Sequence, residues 1–281
     1  MNGISSGEGL PPPRLRRIHC DPPVFFARTL TSTNDALRDR ILAEGAPPFT
    51  ALLCGRQTRG RGRPGNAWTT LRGDLAMSVW IPEGAGSGTL PLSLYVTGAC
   101  LEALDGISGG RVRWKYPNDL CLDPAQRPEG EKGPGKVGGI LVEQLRKDGV
   151  LLGHIAGIGL NMASEAPRAL PASSALPPAV LPPSPGLSPL SLSVRIALGL
   201  RRLLEEGEEI LRERLDRHLL WKGRWVVYAL SDGGTGPAMG RIAGLAGEGF
   251  LQIESPGGGI RLLPPHVRRL RLLEGGEGPL A

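Results

Sequence analysis

The stretch RVRWKYPNDLCL, Arg111–Leu122, carries an apolar strand pattern interrupted by the polar group Tyr116-Pro117-Asn118-Asp119. Val137–Leu145 and Val150–Met162 follow as further apolar runs bounded by Gly, Pro and Asp. A parallel pair of strands needs a crossover of about a dozen residues or more, and these runs leave no room for one. Hairpins must therefore occur, and the sheet cannot be purely parallel. The expected fold class is α+β, a mixed β-sheet covered by helices.

Toward the N-terminus, Thr50–Leu53 and Asp74–Ile81 are strand candidates. One helix is expected to begin at Ser32 or Thr33, either of which can cap it, with Ala36, Leu37, Ile41 and Leu42 on one side. A second is expected over Pro91–Leu104. Toward the C-terminus, the proline-rich stretch Ala166–Pro189 breaks all periodicity and reads as a mobile surface loop. Leu190–Leu204 and Glu209–Leu220 then read as amphipathic helices that close the large domain. From Gly223 the pattern changes to short strands, Trp225–Leu230, Gly240–Leu245, Gly249–Glu254, Gly259–Leu263 and Val267–Leu272, separated by Gly-containing turns, as in a small β-barrel. The division expected is a disordered leader over residues 1–24, holding Pro11-Pro12-Pro13 and Arg14–Arg17, a large domain over 25–221 and a barrel over 222–275.

At 281 residues, with 40% hydrophobic and 21% charged residues, the chain can bury a real core. The 42 glycines and 27 prolines predict long irregular loops. The net charge of +6 suits phosphates, an acidic protein partner or nucleic acid, without choosing among them. Cys20, Cys54, Cys100 and Cys121 form no Cys-x-x-Cys pair and have no close His, so neither a zinc site nor a disulfide framework is expected; reduced thiols fit a cytoplasmic protein. No apolar run approaches the ~20 residues that cross a bilayer, and Met1–Pro23 lacks the apolar core of a signal peptide.

The strongest chemical signal is Gly55-Arg56-Gln57-Thr58-Arg59-Gly60-Arg61-Gly62-Arg63-Pro64-Gly65, followed by Trp68, between two strand candidates. Its glycines allow close backbone approach to a ligand, and Arg61 and Arg63 can neutralise phosphate or carboxylate oxygens. It lacks the Gly-Lys-Ser/Thr ending and the Gly-x-Gly-x-x-Gly order of the common phosphate loops. By itself it is as readily a basic Arg-Gly segment that binds RNA weakly. Lys115-Tyr116-Pro117-Asn118-Asp119, Lys136-Val137-Gly138-Gly139-Ile140-Leu141 and Gly157-Ile158-Gly159-Leu160-Asn161 each also have an ordinary reading, as a turn, a solvated lysine and a strand bulge.

Together with Thr31-Ser32-Thr33-Asn34, and in this order, these segments resemble the catalytic domain of biotin protein ligases. That family's pattern reads Ser-Thr-Asn, Gly-Arg-Gly-Arg-x-Gly-x-x-Trp, Lys-Trp-Pro-Asn-Asp, Lys-x-x-Gly-Ile-Leu and Gly-x-Gly-x-Asn. Tyr116 stands where tryptophan is usual. The resemblance spans about Phe25–Met162, and the β-rich end from Gly223 looks like the family's SH3-like barrel. Pro124–Pro134 and the proline-rich stretch are longer than the family's turns and look like surface insertions. The DNA-binding domain of bifunctional members is absent, so a monofunctional ligase without specific DNA binding is implied.

The resemblance implies ATP-dependent formation of a biotinyl-adenylate and transfer of biotin to a lysine of a biotin carboxyl carrier protein, by a monomer or homodimer. It implies that Ser32, Thr33, Asn34, Gln57, Arg61, Gly62, Arg63, Lys136 and Gly139 bind biotin, with the backbone of Arg61 and Gly62 closing over it. Hydroxyls and amides suit the neutral ureido ring. Arg61, Arg63, Trp68, Lys136 and Asn161 would contact ATP. Arg63 and Lys136 would stand where the biotin carboxylate meets the α-phosphate, offsetting the repulsion of two anions. Asn118 and Asp119 would complete the catalytic group by holding Mg2+ or orienting Lys136. Two other readings remain open at this point: a lipoate-protein ligase of the same architecture, and a basic nucleic-acid-binding module without catalysis.

Overall fold

The computed structural model describes residues 15–86, 88–108, 110–123, 133–162, 176–229, 237–265 and 267–273. Its larger sheet has eight strands: β1 (Arg16–Cys20), β2 (Pro23–Ala27), β3 (Ala51–Cys54), β4 (Leu75–Pro82), β5 (Val112–Lys115), β6 (Asp119–Leu122), β7 (Gly135–Lys147) and β8 (Val150–Leu160). Their order is β1-β2-β3-β4-β8-β7-β6-β5. Only β2 and β3 run parallel, and α1 (Thr33–Glu44) is the connection between them. The hairpins expected after Arg111 are β5–β6 and β7–β8.

Alternation along β4 shows how the sheet divides its faces. Leu75, Met77, Val79 and Ile81 enter the main core with α2 (Leu92–Ser108) and α3 (Pro189–Glu206), whereas Ala76 and Trp80 join Leu37 and Ile41 of α1 on the other side. Ser32 caps α1 by accepting from Asp35 N, and Gly45 at φ 71° ends it. Pro189 and a capping box between Ser188 and Ser191 start α3, and α4 (Glu208–Arg217) follows directly.

The chain ends in a five-stranded antiparallel sheet of order β12-β11-β10-β9-β13, formed by β9 (Trp225–Ala229), β10 (Ala238–Leu245), β11 (Leu251–Glu254), β12 (Ile260–Leu263) and β13 (Arg268–Leu272), in keeping with an SH3-like domain. Its hydrophobic residues join the main core, and the Tyr116 hydroxyl donates to Leu263 O at 3.0 Å.

Two expectations change. The leader expected over residues 1–24 is ordered from Leu15 onward: β1 is an edge strand paired with β2, and Ile18 packs against the main core, enough apolar contact to hold a short polar strand. Residues 1–14 lie outside the described part. The stretch Ala166–Pro189 is not a mobile surface loop along its second half. Lys136 N donates to Pro177 O (2.7 Å), Ala179 N to Lys136 O (2.8 Å) and Leu181 N to Asn161 O (2.9 Å), while Leu176 and Leu181 are buried. Prolines at 177, 178, 182 and 183 keep the segment extended, and the non-proline residues between them supply its N–H donors. Most of the Pro124–Pro134 insertion and residues 163–175 lie outside the described residues.

Candidate active site

The site lies on the α1 face of the large sheet, over three glycines. A Cβ on Gly157 would stand 2.5 Å from Asn34 Oδ1, and one on Gly159 would stand 2.3 Å from the Trp68 indole. Above Gly139, the Lys136 ammonium (3.6 Å) and the Trp68 ring (3.7 Å) meet. Only glycine permits this approach at the first two positions.

At the N-terminus of α1, polar side chains from three elements interlock. Gln57 Oε1 accepts from Thr33 N (2.8 Å) and Thr33 Oγ1 (3.2 Å), and Gln57 Nε2 donates to Thr70 Oγ1 (3.3 Å). Ser78, wholly buried on β4, donates to Asn34 Oδ1 (2.5 Å) and lies 2.8 Å from Thr33 Oγ1. Asn34 Nδ2 donates to Glu143 Oε2 (2.6 Å). The sequence-expected set Ser32, Thr33, Asn34 and Gln57 is thus brought together. Ser78 and Glu143 belong to it as well, and only their place on inward-facing strand positions marked them.

The arginine loop is folded on itself, not extended. Trp68 N donates to Gly60 O (2.9 Å), Gly62 N to Asn66 O (2.8 Å) and Arg59 N to Thr31 O (2.8 Å). The Gly62 amide expected to close over a ligand is therefore committed within the loop. The loop lines an open cleft of about 1200 Å³ with Thr31, Asp35, Gln57, Arg63 and Leu71 on its walls. Trp68 borders this cleft and meets Lys136 above Gly139; its Nε1 is a buried donor with no acceptor among the described residues.

The two loop cations differ. Arg61 forms a fork with Asp35, Nη1 to Oδ2 at 2.5 Å and Nη2 to Oδ1 at 2.7 Å, and its Nη2 also reaches Glu143 at 3.3 and 3.4 Å. The Arg61 hydrogen bond holds the Asp35 carboxyl below the usual range, although burial opposes it. The Arg61 side chain, expected from the sequence at biotin and ATP, is here paired with two carboxylates. Arg63 has no carboxylate partner among the described residues and remains available to an anion.

Lys136 Nζ lies 2.6 Å from Asp119 Oδ1 across the β6–β7 pair. Lys115, Asp119's cross-strand partner on β5, is 6% exposed with its ammonium 5.9 Å from the Trp221 ring centre; burial pushes its pKa down. Asn118 Nδ2 donates to Ile140 O (2.8 Å) and Ile140 N to Asn118 O (3.0 Å), so this residue ties the hairpin to β7. Asn161 Nδ2 donates to Lys136 O (3.3 Å) and Ala179 O (3.0 Å). The Asn161 side chain, expected from the sequence on the nucleotide side, ties the backbone beneath Lys136 to the 177–181 stretch.

Among the described residues no three His, Cys, Asp or Glu side chains converge as a metal cage. A nucleotide-borne Mg2+ needs none, since it keeps waters and takes one or two carboxylates plus phosphate oxygens. The Asp119 carboxylate and the Asn118 amide oxygen fit that need.

Residues 25–161 match the family model of the Biotin/lipoate A/B protein ligase family. This segment is similar to the ligase domains of that family. The chain is 35% identical over 138 residues to the bifunctional ligase/repressor BirA of Escherichia coli, covering 48% of this chain and 39% of that protein. It is 31% identical over 163 residues to the biotin–[acetyl-CoA-carboxylase] ligase of Paracoccus denitrificans, covering 57% and 60%. The match thus spans about two fifths to three fifths of these relatives' lengths. In fold, the chain resembles the biotin protein ligase of Aquifex aeolicus solved in complex with biotin and ATP (TM-score 0.66, 24% identity, 89% of this chain and 99% of that one). The ligase from Leishmania major solved with biotinyl-5-AMP gives 0.57, 22%, 86% and 98%. The likeness in fold covers the eight-stranded sheet with its helices and extends into the C-terminal sheet.

Proposed function

We propose that this chain is a biotin protein ligase that joins biotin to AMP and then passes it to a lysine of a carrier protein. The observation that carries the reading is the meeting of Lys136 and Trp68 above Gly139, between the Asp119 carboxylate on one side and the Thr33–Gln57–Asn34 group on the other. The latter group offers amide and hydroxyl partners to a neutral ureido ring. At the other end, Lys136 offers charge where an acid becomes activated.

In the first step a biotin carboxylate oxygen bonds to the α-phosphorus of ATP and the bond to the bridging oxygen breaks, releasing pyrophosphate. Lys136 and Arg63 lower the repulsion between the two anions and stabilise the charge that develops. Asp119 orients Lys136. Asp119 and the Asn118 amide oxygen would hold Mg2+, which neutralises phosphate charge when bound. In the second step an uncharged carrier amine attacks the acyl carbon and AMP leaves. The buried Trp68 Nε1 gains an acceptor once a ligand oxygen replaces the present packing over the glycine floor.

The proposed partner is a biotin carboxyl carrier protein. The proposed compartment is the cytoplasm, supported by four free thiols, three of them buried. Among the described residues no helix is long and apolar enough to cross a membrane. A nucleic-acid-binding module is disfavoured because Arg61 is neutralised within the protein. Incubation with labelled biotin, ATP, magnesium and a biotin-carrier domain tests the reading: label on the carrier lysine is expected, and none with an active carrier refutes it. Thermal shift with biotin against lipoate separates the two acids, since only the bound one stabilises the fold.

A further inference from the structure

Around Arg61 the structure holds an arrangement that the reaction itself does not require. Asp35 sits in the first turn of α1 and Glu143 on β7, 108 residues apart in sequence. Both carboxylates converge on the one loop guanidinium. Arg38, one turn along α1, braces them from behind, with Nη1 2.9 Å from Asp35 and Nη2 3.4 Å from Glu143. Glu143 also accepts from Asn34, so the brace is continuous with the polar group at the start of α1.

An exposed ion pair alone stabilises little, and the Arg61 and Asp35 side chains are 38% and 37% exposed. Here the pair is bidentate and belongs to a four-member network, the circumstances in which such contacts hold a geometry. Among the described residues the Arg61 side chain pairs only with these two carboxylates; the loop's other side-chain anchors are Gln57, bonded to Thr33 and Thr70, and Trp68, which rests on bare glycines.

We propose that Asp35 and Glu143, acting through Arg61, form a clasp that holds the arginine loop down over the site before any ligand arrives, and so determine how long an acyl-adenylate is retained. They are positioning residues. The retention half rests on the ligase reading above; the clasp half does not. A loop clasped in advance restricts escape of a reactive adenylate and its hydrolysis.

The test uses the full chain. Hydrogen–deuterium exchange over residues 57–70 is measured without ligand in the native protein, Asp35→Asn, Arg61→Gln and the double variant, with exchange over α1 as a folding control. Release of pre-bound biotinyl-AMP is then timed by chase in the same proteins. Loop exchange is expected to quicken severalfold in each single variant, with no further gain in the double variant because both remove one contact. Adenylate release is expected to quicken about tenfold, and Asp35→Glu to restore both. Unchanged loop exchange in Asp35→Asn, with α1 intact, overturns the clasp whatever the chain's activity. Faster loop exchange with unaltered release overturns its role in retention. A native protein that binds no biotinyl-AMP at all instead refutes the ligase reading, while the exchange measurement still judges the clasp.

Discussion

Lys136 Nζ stands 2.6 Å from Asp119 Oδ1, and the same lysine has its backbone held on both sides, by Pro177 O and by Ala179 N. Its charge is thus placed by two separate segments of chain, β6 and the 177–179 stretch. Replacing Lys136 with Met keeps much of the packing and removes the cation. Biotin-dependent ATP–pyrophosphate exchange is expected to fall about 10²- to 10³-fold, the usual loss when one preorganised charge stabiliser is removed. Near-native exchange would take Lys136 out of the chemistry.

Gly159→Ala tests the floor of the site. The added methyl would stand 2.3 Å from Trp68 Cε2 and 2.6 Å from Nε1, so the indole must leave its seat. The fold is expected to survive, because the collision is with a side chain on a loop, while biotin affinity drops at least about tenfold, or 1.4 kcal/mol. Calorimetric titration with biotin gives the answer, and unaltered affinity would show that Trp68 is not seated there when biotin binds.

Trp68 is also a reporter. Biotin binding is expected to change the tryptophan emission of the native protein as the orphaned indole N–H gains an oxygen, and Trp68→Phe is expected to remove most of that change. A signal of equal size in the variant would assign it to another of the five tryptophans.

Tyr116→Phe deletes the hydroxyl that reaches from the site hairpin to Leu263 O in the C-terminal sheet. The carbonyl left without this donor is buried, which costs about 1–3 kcal/mol. Denaturant unfolding is expected to show that loss. A variant as stable as the native chain would mean that the two sheets do not depend on this bond.

Glu208 predicts an acid limb. Burial by itself would raise its pKa, but the Leu90 N–H, Arg212, the Tyr95 hydroxyl and Thr89 outweigh that and hold it at about 2. Because the folded value is depressed below the ordinary 4.5, its contribution is complete above pH 4.5 and is lost as the pH falls toward 2. Glu208→Gln is expected to lower stability at neutral pH and to flatten the profile between those limits. Parallel profiles for the two proteins in urea titrations would refute the assignment.

Much of this molecule could be read from its residues. The hairpins follow from strand runs packed too closely for crossovers, and the site segments 32–34, 55–65, 115–119, 136–141 and 157–161 lie on neighbouring elements. What escaped reading has a common cause. Glu143 and Ser78 look like ordinary strand residues until register places them beside Asn34. Nothing beside Arg61 in the sequence announces that Asp35 and Glu143 meet on it. Nothing beside Asn161 announces Ala179, which a proline-rich run without periodicity folds back beneath it. Each depends on a partner distant in sequence, and no local pattern carries such pairings.

The chain departs from Asn161 and Met162 and is back at Pro177–Leu181, bonded to Asn161 itself and to Lys136. The described residues on either side of the intervening run are therefore moored at one spot. Such a place accepts added or deleted length at little entropic cost. It is accordingly the position at which a foreign epitope or a fluorescent module could be grafted without disturbing the lysine next door.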